Sequence, residues 1–238
     1  TLHIYVPQSI RYSDERYPVL YMYDGHNLFE DETATYGKSW GFKDYLDAHE
    51  VPLIVVGIEC NHEGNSRLVE YCPYTFQDDT FGTIEGSGQQ MMQWVVDELK
   101  PLIDRELPTR SDRAHTWIGG SSMGGLMALY SITHHNAVFS KAACLSPFIA
   151  PVYRELTAEC QRPLQPDTSI YLSWGSSETR SKRSFAEISK VNLEIANQLQ
   201  KQNIRLHLNL VVGGQHNEAC WEKEIPVFLR FFKETTAM

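Results

Sequence analysis

Six short apolar runs recur along this chain, and the stretches between them carry apolar residues at helical spacing. PVLYMY (18–23), PLIVVGIE (52–59), HTWIGG (115–120), KAACLS (141–146), SIYLSWG (169–175) and RLHLNLVV (205–212) read as strands. PLIVVGIE is apolar almost throughout, as expected of a strand covered on both faces. Between the runs, QQMMQWVVDELKPLIDREL (89–107) places Met91, Val95, Leu99 and Leu102 on one helical face, with a kink expected at Pro101. LMALYSITHH (126–135), FAEISKVNLEIANQLQ (185–200) and EKEIPVFLRFFKE (222–234) also read as helices. Strands alternating with helices of this length predict a mostly parallel central sheet with helices on both faces, and so an α/β class. Cys60 to Ser87 reads as a polar, Gly-rich surface loop, and Pro147 to Asp167 as a short excursion, leaving room for a small lid or none. One domain over residues 1–238 is expected.

Composition removes several classes of function. The net charge of −9 argues against a phosphate-neutralising face, so no nucleic-acid partner is expected. The longest apolar run, LIVVGI at 53–58, is far short of the roughly 20 residues a bilayer span needs, and no membrane partner is expected. The opening TLHIYVP carries no pattern of an export signal, although the chain begins at Thr1 and a removed segment stays open. Five cysteines, Cys60, Cys72, Cys144, Cys160 and Cys220, are widely spaced and contain no CxxC pair. That favours a reducing, cytoplasmic setting over a disulfide framework. Cys60, His62 and Glu63 lie close together, but no second cluster has ligand spacing, so no metal and no cofactor are expected.

The chemistry points to Gly120-Ser121-Ser122-Met123-Gly124, a G-x-S-x-G pentapeptide with a single possible register. Glycines are needed because the serine sits on a strained turn between a strand and a helix, where larger side chains would strike the neighbouring backbone. HTWI before it and LMALYSI after it supply that strand and helix. A nucleophilic serine needs a base, and His216 follows the last strand in the turn Gly213-Gly214-Gln215. His134 and His135 sit at a helix end, where a positive charge is favourable for other reasons. The acid should follow a late strand; Glu178 does so after SIYLSWG, whereas Asp167 precedes that strand and belongs at the opposite sheet edge. An oxyanion hole would use the N–H of Met123, after the nucleophile, and one from Asp24-Gly25-His26-Asn27, with His26 preferred and Asn27 next.

These blocks resemble the esterase family of α/β hydrolases, which includes enterochelin and bacillibactin trilactone esterases, feruloyl and acetyl-xylan esterases, and S-formylglutathione hydrolase. The resemblance runs through YPVLYMYDGHNLF (17–29), RLVEYCPY (67–74), ELKPLI (98–103), IGGSSMGGLMALY (118–130), YLSWGSSE (171–178) and VVGGQHNEACWEKEIPVFLRFF (211–232). The His-Asn-Glu-x-x-Trp continuation is specific, because the fold alone gives it no reason to recur. The resemblance implies an α/β-hydrolase fold and the triad Ser122, His216 and Glu178, although many members carry Asp where Glu178 stands. Members often have further chain before a segment such as TLHIYVP, so a missing edge strand is expected.

Hydrolysis of a carboxylic ester through an acyl-enzyme is the leading function, with a small-molecule ester as partner. Acyl transfer on the same fold and a catalytically silent binding module are the alternatives. Arg67, Tyr71 and Arg180 are candidates for meeting an anionic or catechol-like acyl group. Siderophore, feruloyl, acetyl and aliphatic esters all stay open, as does the oligomeric state.

Overall fold

All six apolar runs become strands of one sheet in a computed structural model that describes residues 1–12, 14–179 and 181–234. In chain order the strands are β1 (Leu2–Tyr5), β2 (Val19–Tyr23), β3 (Ile54–Ile58), β4 (Thr75–Asp78), β5 (Gly82–Glu85), β6 (Thr116–Ser121), β7 (Lys141–Leu145), β8 (Ser169–Gly175) and β9 (Arg205–Val211). Seven of them form the main sheet in the order β1-β3-β2-β6-β7-β8-β9, and β4 and β5 make a separate hairpin. Every neighbouring pair in the main sheet is parallel except β1 with β3. Leu2–Tyr5, within the opening TLHIYVP segment, forms the antiparallel edge strand beside β3.

The pleat divides the core in two. Val19, Tyr21 and Tyr23 of β2 and Ile54, Val56 and Ile58 of β3 join one apolar cluster. The intervening Leu20, Met22 and Val55 join the other. This period of two follows from side chains pointing alternately to opposite faces of a sheet. The helices are α1 (Phe42–Ala48), α2 (Ser66–Glu70), α3 (Gly88–Trp94), α4 (Lys100–Glu106), α5 (Met123–His134), α6 (Tyr153–Glu159), α7 (Lys182–Leu199), α8 (Glu218–Trp221) and α9 (Ile225–Glu234). α3 to α7 pack on the first face through residues such as Met92, Ile103, Leu129, Leu156 and Ile195. α1 and α9 cover the second through Phe42, Leu46, Phe228 and Phe232. From Met123 to Thr133 every residue of α5 is buried, as its apolar surface all round requires.

Two expectations need correction. The segment from Cys60 to Ser87 is not a plain surface loop: it contains α2 and the β4–β5 hairpin and buries Tyr71, Cys72, Phe76 and Ile84. Its apolar residues are too sparse to show a period, and only packing against the first core cluster orders them. The disturbance expected at Pro101 falls just before it, as a π-helical turn over Val95–Leu99 that joins α3 to α4. Pro101 has no N–H to give the Asp97 carbonyl, and a wider turn absorbs the missing bond. All five cysteines are free. Among the described residues no helix is long and apolar enough to cross a membrane.

Candidate active site

Parallel pairing brings the C-terminal ends of β2, β3, β6, β7, β8 and β9 to one edge of the sheet, where loops of this architecture gather ligands. Ser122 stands at this edge between β6 and α5, with φ 56° and ψ −119°. Holding a serine in this region costs about 1–3 kcal/mol and persists only because the surroundings fix it. Its N–H donates to the Leu145 carbonyl at 3.0 Å, and its carbonyl accepts from Leu126 and Phe148, each at 3.0 Å. A Cβ on Gly120 would lie 2.7 Å from the Gly124 carbonyl carbon, so the tight crossing of strand and helix excludes any larger residue there. Met123 opens α5, and the N-terminal end of that helix carries unpaired N–H groups and a partial positive charge.

His216 and Glu178 come from the loops after β9 and β8. Ser176 and Ser177 donate their N–H groups to the Val211 and Gly214 carbonyls at 3.0 and 2.9 Å, which fastens the two loops together. A Cβ on Gly175 would meet the Gly214 carbonyl oxygen at 2.3 Å, so this approach also depends on glycine. His216 Nδ1 lies 3.0 Å from Glu178 Oε2. The other carboxylate oxygen accepts from the Ser146 hydroxyl at 2.6 Å and from the Gly175 N–H. Burial pushes the Glu178 carboxyl up, but the bonds from His216, Ser146 and Gly175 outweigh it and hold the group below its ordinary range. An ionised carboxylate only accepts, so Nδ1 carries the imidazole proton and Nε2 keeps its lone pair. The Glu178 side chain is 5% exposed and that of His216 40%, so the carboxylate is sheltered while the imidazole faces the cavity. Asp167 lies at the opposite sheet edge and pairs with Arg113.

The turn after β2 completes the edge. Asp24 adopts φ 57° and starts a tight turn through Gly25, His26 and Asn27. The Asn27 N–H, expected as an oxyanion donor, is already committed to the Asp24 carbonyl at 2.9 Å. The Asn27 side chain instead ties the turn down, accepting from the Thr35 N–H at 2.9 Å and reaching Glu218 at 3.4 Å.

Ser122, His216, His26, Asn27 and Arg67 line one cavity of about 360 Å³. A larger one, about 580 Å³, opens at the other end of the strands around Tyr17, Val51 and Trp117, away from Ser122 and His216. The strained serine and its neighbours make the smaller cavity the candidate site. Arg67 reaches it, but its guanidinium is held in a two-pronged pair with Asp24, both bonds 2.7 Å. Tyr71 does not reach it. The ring is fully buried beneath Arg67, and its hydroxyl donates to the Ile58 carbonyl at 3.0 Å and accepts from the Asp24 N–H at 3.1 Å, so it supports the turn and cannot touch a ligand. Arg180 lies outside the described residues.

The model of the family described as "Putative esterase" matches residues 1–232. The chain belongs to this esterase family. Protein YbbA of Bacillus subtilis (strain 168) is 24% identical over 231 residues, covering 93% of this chain and 87% of its own. The IroE-like serine hydrolase of Shewanella oneidensis superposes with a TM-score of 0.76 at 20% identity, over 98% of this chain and 75% of its own. An S-formylglutathione hydrolase of Agrobacterium tumefaciens does so with a TM-score of 0.70 at 16% identity, over 99% and 90%. These likenesses establish the α/β-hydrolase fold of the esterase.

Several residues around the candidate site are not evident from the sequence. Trp221 Nε1 donates to the Ser146 hydroxyl at 2.9 Å, and that hydroxyl donates to Glu178, forming a relay that ends on the carboxylate. The Trp221 ring also meets His216 edge-on at 5.0 Å. The His-Asn-Glu-x-x-Trp run thus has a physical reason after all: Asn217 caps α8, Glu218 is buried against Asn27, and Trp221 steadies His216 and Glu178. Ser146 follows the end of β7, the strand beside β6, and a polar residue at that place is the one available signal.

Proposed function

We propose that this esterase cleaves carboxylic esters through an acyl-enzyme, with Ser122 as nucleophile, His216 as general base and acid, and Glu178 orienting the imidazole. The Ser122 hydroxyl attacks the ester carbonyl while His216 Nε2 takes its proton, and the carbonyl oxygen becomes an oxyanion. The N–H groups of Met123 and His26 receive that charge at the mouth of the α5 N-terminus. His216 returns the proton to the departing alkoxide, and water, deprotonated by the same nitrogen, releases the acid and frees Ser122. Glu178 keeps the proton on Nδ1 and stabilises the imidazolium without taking the proton itself.

One observation carries this reading: a serine in a strained strand-to-helix turn shares a cavity with a histidine whose far nitrogen rests on a buried carboxylate. Labelling by a serine-directed fluorophosphonate should modify Ser122 in wild type and fail in Ser122→Ala. The variant should lose on the order of 10⁶ in turnover of a p-nitrophenyl ester, as removal of a triad serine does elsewhere. Full labelling of the variant, or turnover within about tenfold of wild type, would remove Ser122 from the mechanism.

A further inference from the structure

Three side chains that this mechanism leaves unused meet in the same cavity. His26, Cys60 and His62 each offer a donor atom, and these atoms lie within 4.8 Å of one another. They arrive from two places in the chain, His26 from the turn after β2 and the other two from the segment after β3, its parallel neighbour. His26 and Cys60 are buried, His62 is exposed, and the two rings meet edge-on at 4.4 Å.

The hydrogen bonding of the rings suits a cation. His26 Nε2 lies 3.0 Å from the Thr35 hydroxyl, and His62 Nε2 lies 3.0 Å from Glu59 Oε1. The Glu59 carboxylate is itself braced by His3 at 3.1 Å. In both rings an oxygen holds Nε2, so Nδ1 is the nitrogen that would ligate. Metal-bound histidines show this pattern, with one nitrogen on the ion and the other held by a carboxylate or another oxygen. Independently, His26 is only 6% exposed and its Nδ1 is buried with no hydrogen-bond partner among the described residues. Native structures leave few buried polar atoms unpaired, and an absent ion is one reason for such an atom.

We propose that His26, Cys60 and His62 form a binding site for a borderline-soft divalent cation such as Zn²⁺, and that its occupation inhibits the esterase. Two imidazoles and a thiolate favour zinc, nickel or copper over magnesium or calcium, whose preferred ligands are oxygens. Binding forms the metal–sulfur bond as the thiol proton leaves to solvent. Three protein ligands leave a tetrahedral ion one further position for water or an acyl oxygen. The ion would occupy space beside Ser122 and immobilise His26, whose N–H is a proposed oxyanion donor. The inhibitory half rests on the function proposed above; the binding half does not.

The test begins with metal-free protein titrated with Co²⁺, which should give a thiolate-to-cobalt charge-transfer band at one equivalent. Cys60→Ser should abolish the band. His62→Ala, at an exposed position, should weaken Zn²⁺ binding by at least about tenfold, since loss of an outer-shell partner alone costs about 10–100-fold. Each protein's esterase rate is then read with and without Zn²⁺, as a ratio to its own metal-free rate. Inhibition should be strong in wild type and displaced to higher Zn²⁺ in both variants. Absence of the cobalt band in wild type, or equal Zn²⁺ affinity in all three proteins, overturns the site. A band without Zn²⁺ inhibition establishes the site and overturns its effect on activity. Since the band is read without turnover, its failure is distinguishable from failure of the Ser122 mechanism.

Discussion

Replacing Glu178 with glutamine tests the least obvious member of the proposed triad, and the structure says how it should fail. The carboxylate accepts three bonds, from Ser146 and Gly175 at one oxygen and from His216 at the other. A backbone N–H can only donate, so the amide oxygen of Glu178→Gln must take the place facing Gly175. Its NH₂ group then faces His216 Nδ1, which can accept only if the ring proton moves to Nε2. That tautomer has no lone pair to offer Ser122. The opposite amide orientation sets NH₂ against the buried Gly175 N–H at a cost of about 1–3 kcal/mol. Although it keeps the proton on Nδ1, it lacks the negative charge that stabilises the imidazolium, so both orientations lose activity. The comparable change in a serine protease lowers turnover by about 10⁴, and a loss of that order is expected here. The assay is steady-state hydrolysis of p-nitrophenyl acetate, with thermal unfolding to show that the variant is folded. Glu178→Asp should also lose activity, because the shorter side chain cannot span from Ser146 to His216. Asp167→Asn, at the far sheet edge, should be nearly silent in activity. Folded Glu178→Gln with turnover within about tenfold of wild type would refute the tautomer argument.

Ser146→Ala removes one donor from the Glu178 carboxylate and leaves Trp221 Nε1 without its acceptor. A hydrogen bond to a charged group contributes about 1.5–3 kcal/mol, so kcat should fall by about 10–100-fold with KM little changed; an unchanged kcat would show that the relay does not position the acid. Just past the end of β3, hydrogen bonding to His3, working against burial and helped by His62 and Thr1, holds the Glu59 carboxyl at about 2. A folded-state value below the ordinary 4.5 means that the carboxylate stabilises the fold above about pH 4.5 and that this contribution fades as the pH falls toward 2. Wild type should therefore lose more stability than Glu59→Gln between about pH 6 and pH 3, read as urea midpoints, and parallel losses would refute the linkage.

Short-range physics leaves much of this protein legible in its amino-acid order. SIYLSWG reads as a strand over 169–175, and β8 spans Ser169–Gly175, because continuous apolar burial leaves a mark on adjacent residues. Ser122 is legible for the same reason: the glycines around it are a steric demand of a turn only a few residues long. Glu178 and His216 are recognisable as loop residues after late strands, and parallel pairing puts both at the edge that holds Ser122. Tertiary structure decided what those residues meet. Arg67 and Tyr71 look like available binding groups in the chain, but Asp24, from a distant turn, claims the guanidinium and the Tyr71 hydroxyl is spent on backbone. The bonds that join Ser146 to Trp221 and to Glu178, and the meeting of His26 with Cys60 and His62, are fixed by no neighbour in the chain. Each depends on the strand order β3-β2-β6-β7-β8-β9, which sets the ends of strands far apart in sequence side by side. Periodicity and turn chemistry act over a few neighbouring residues, whereas hydrogen bonds and charge pairs act through space, and only the folded sheet determines which groups come within their reach.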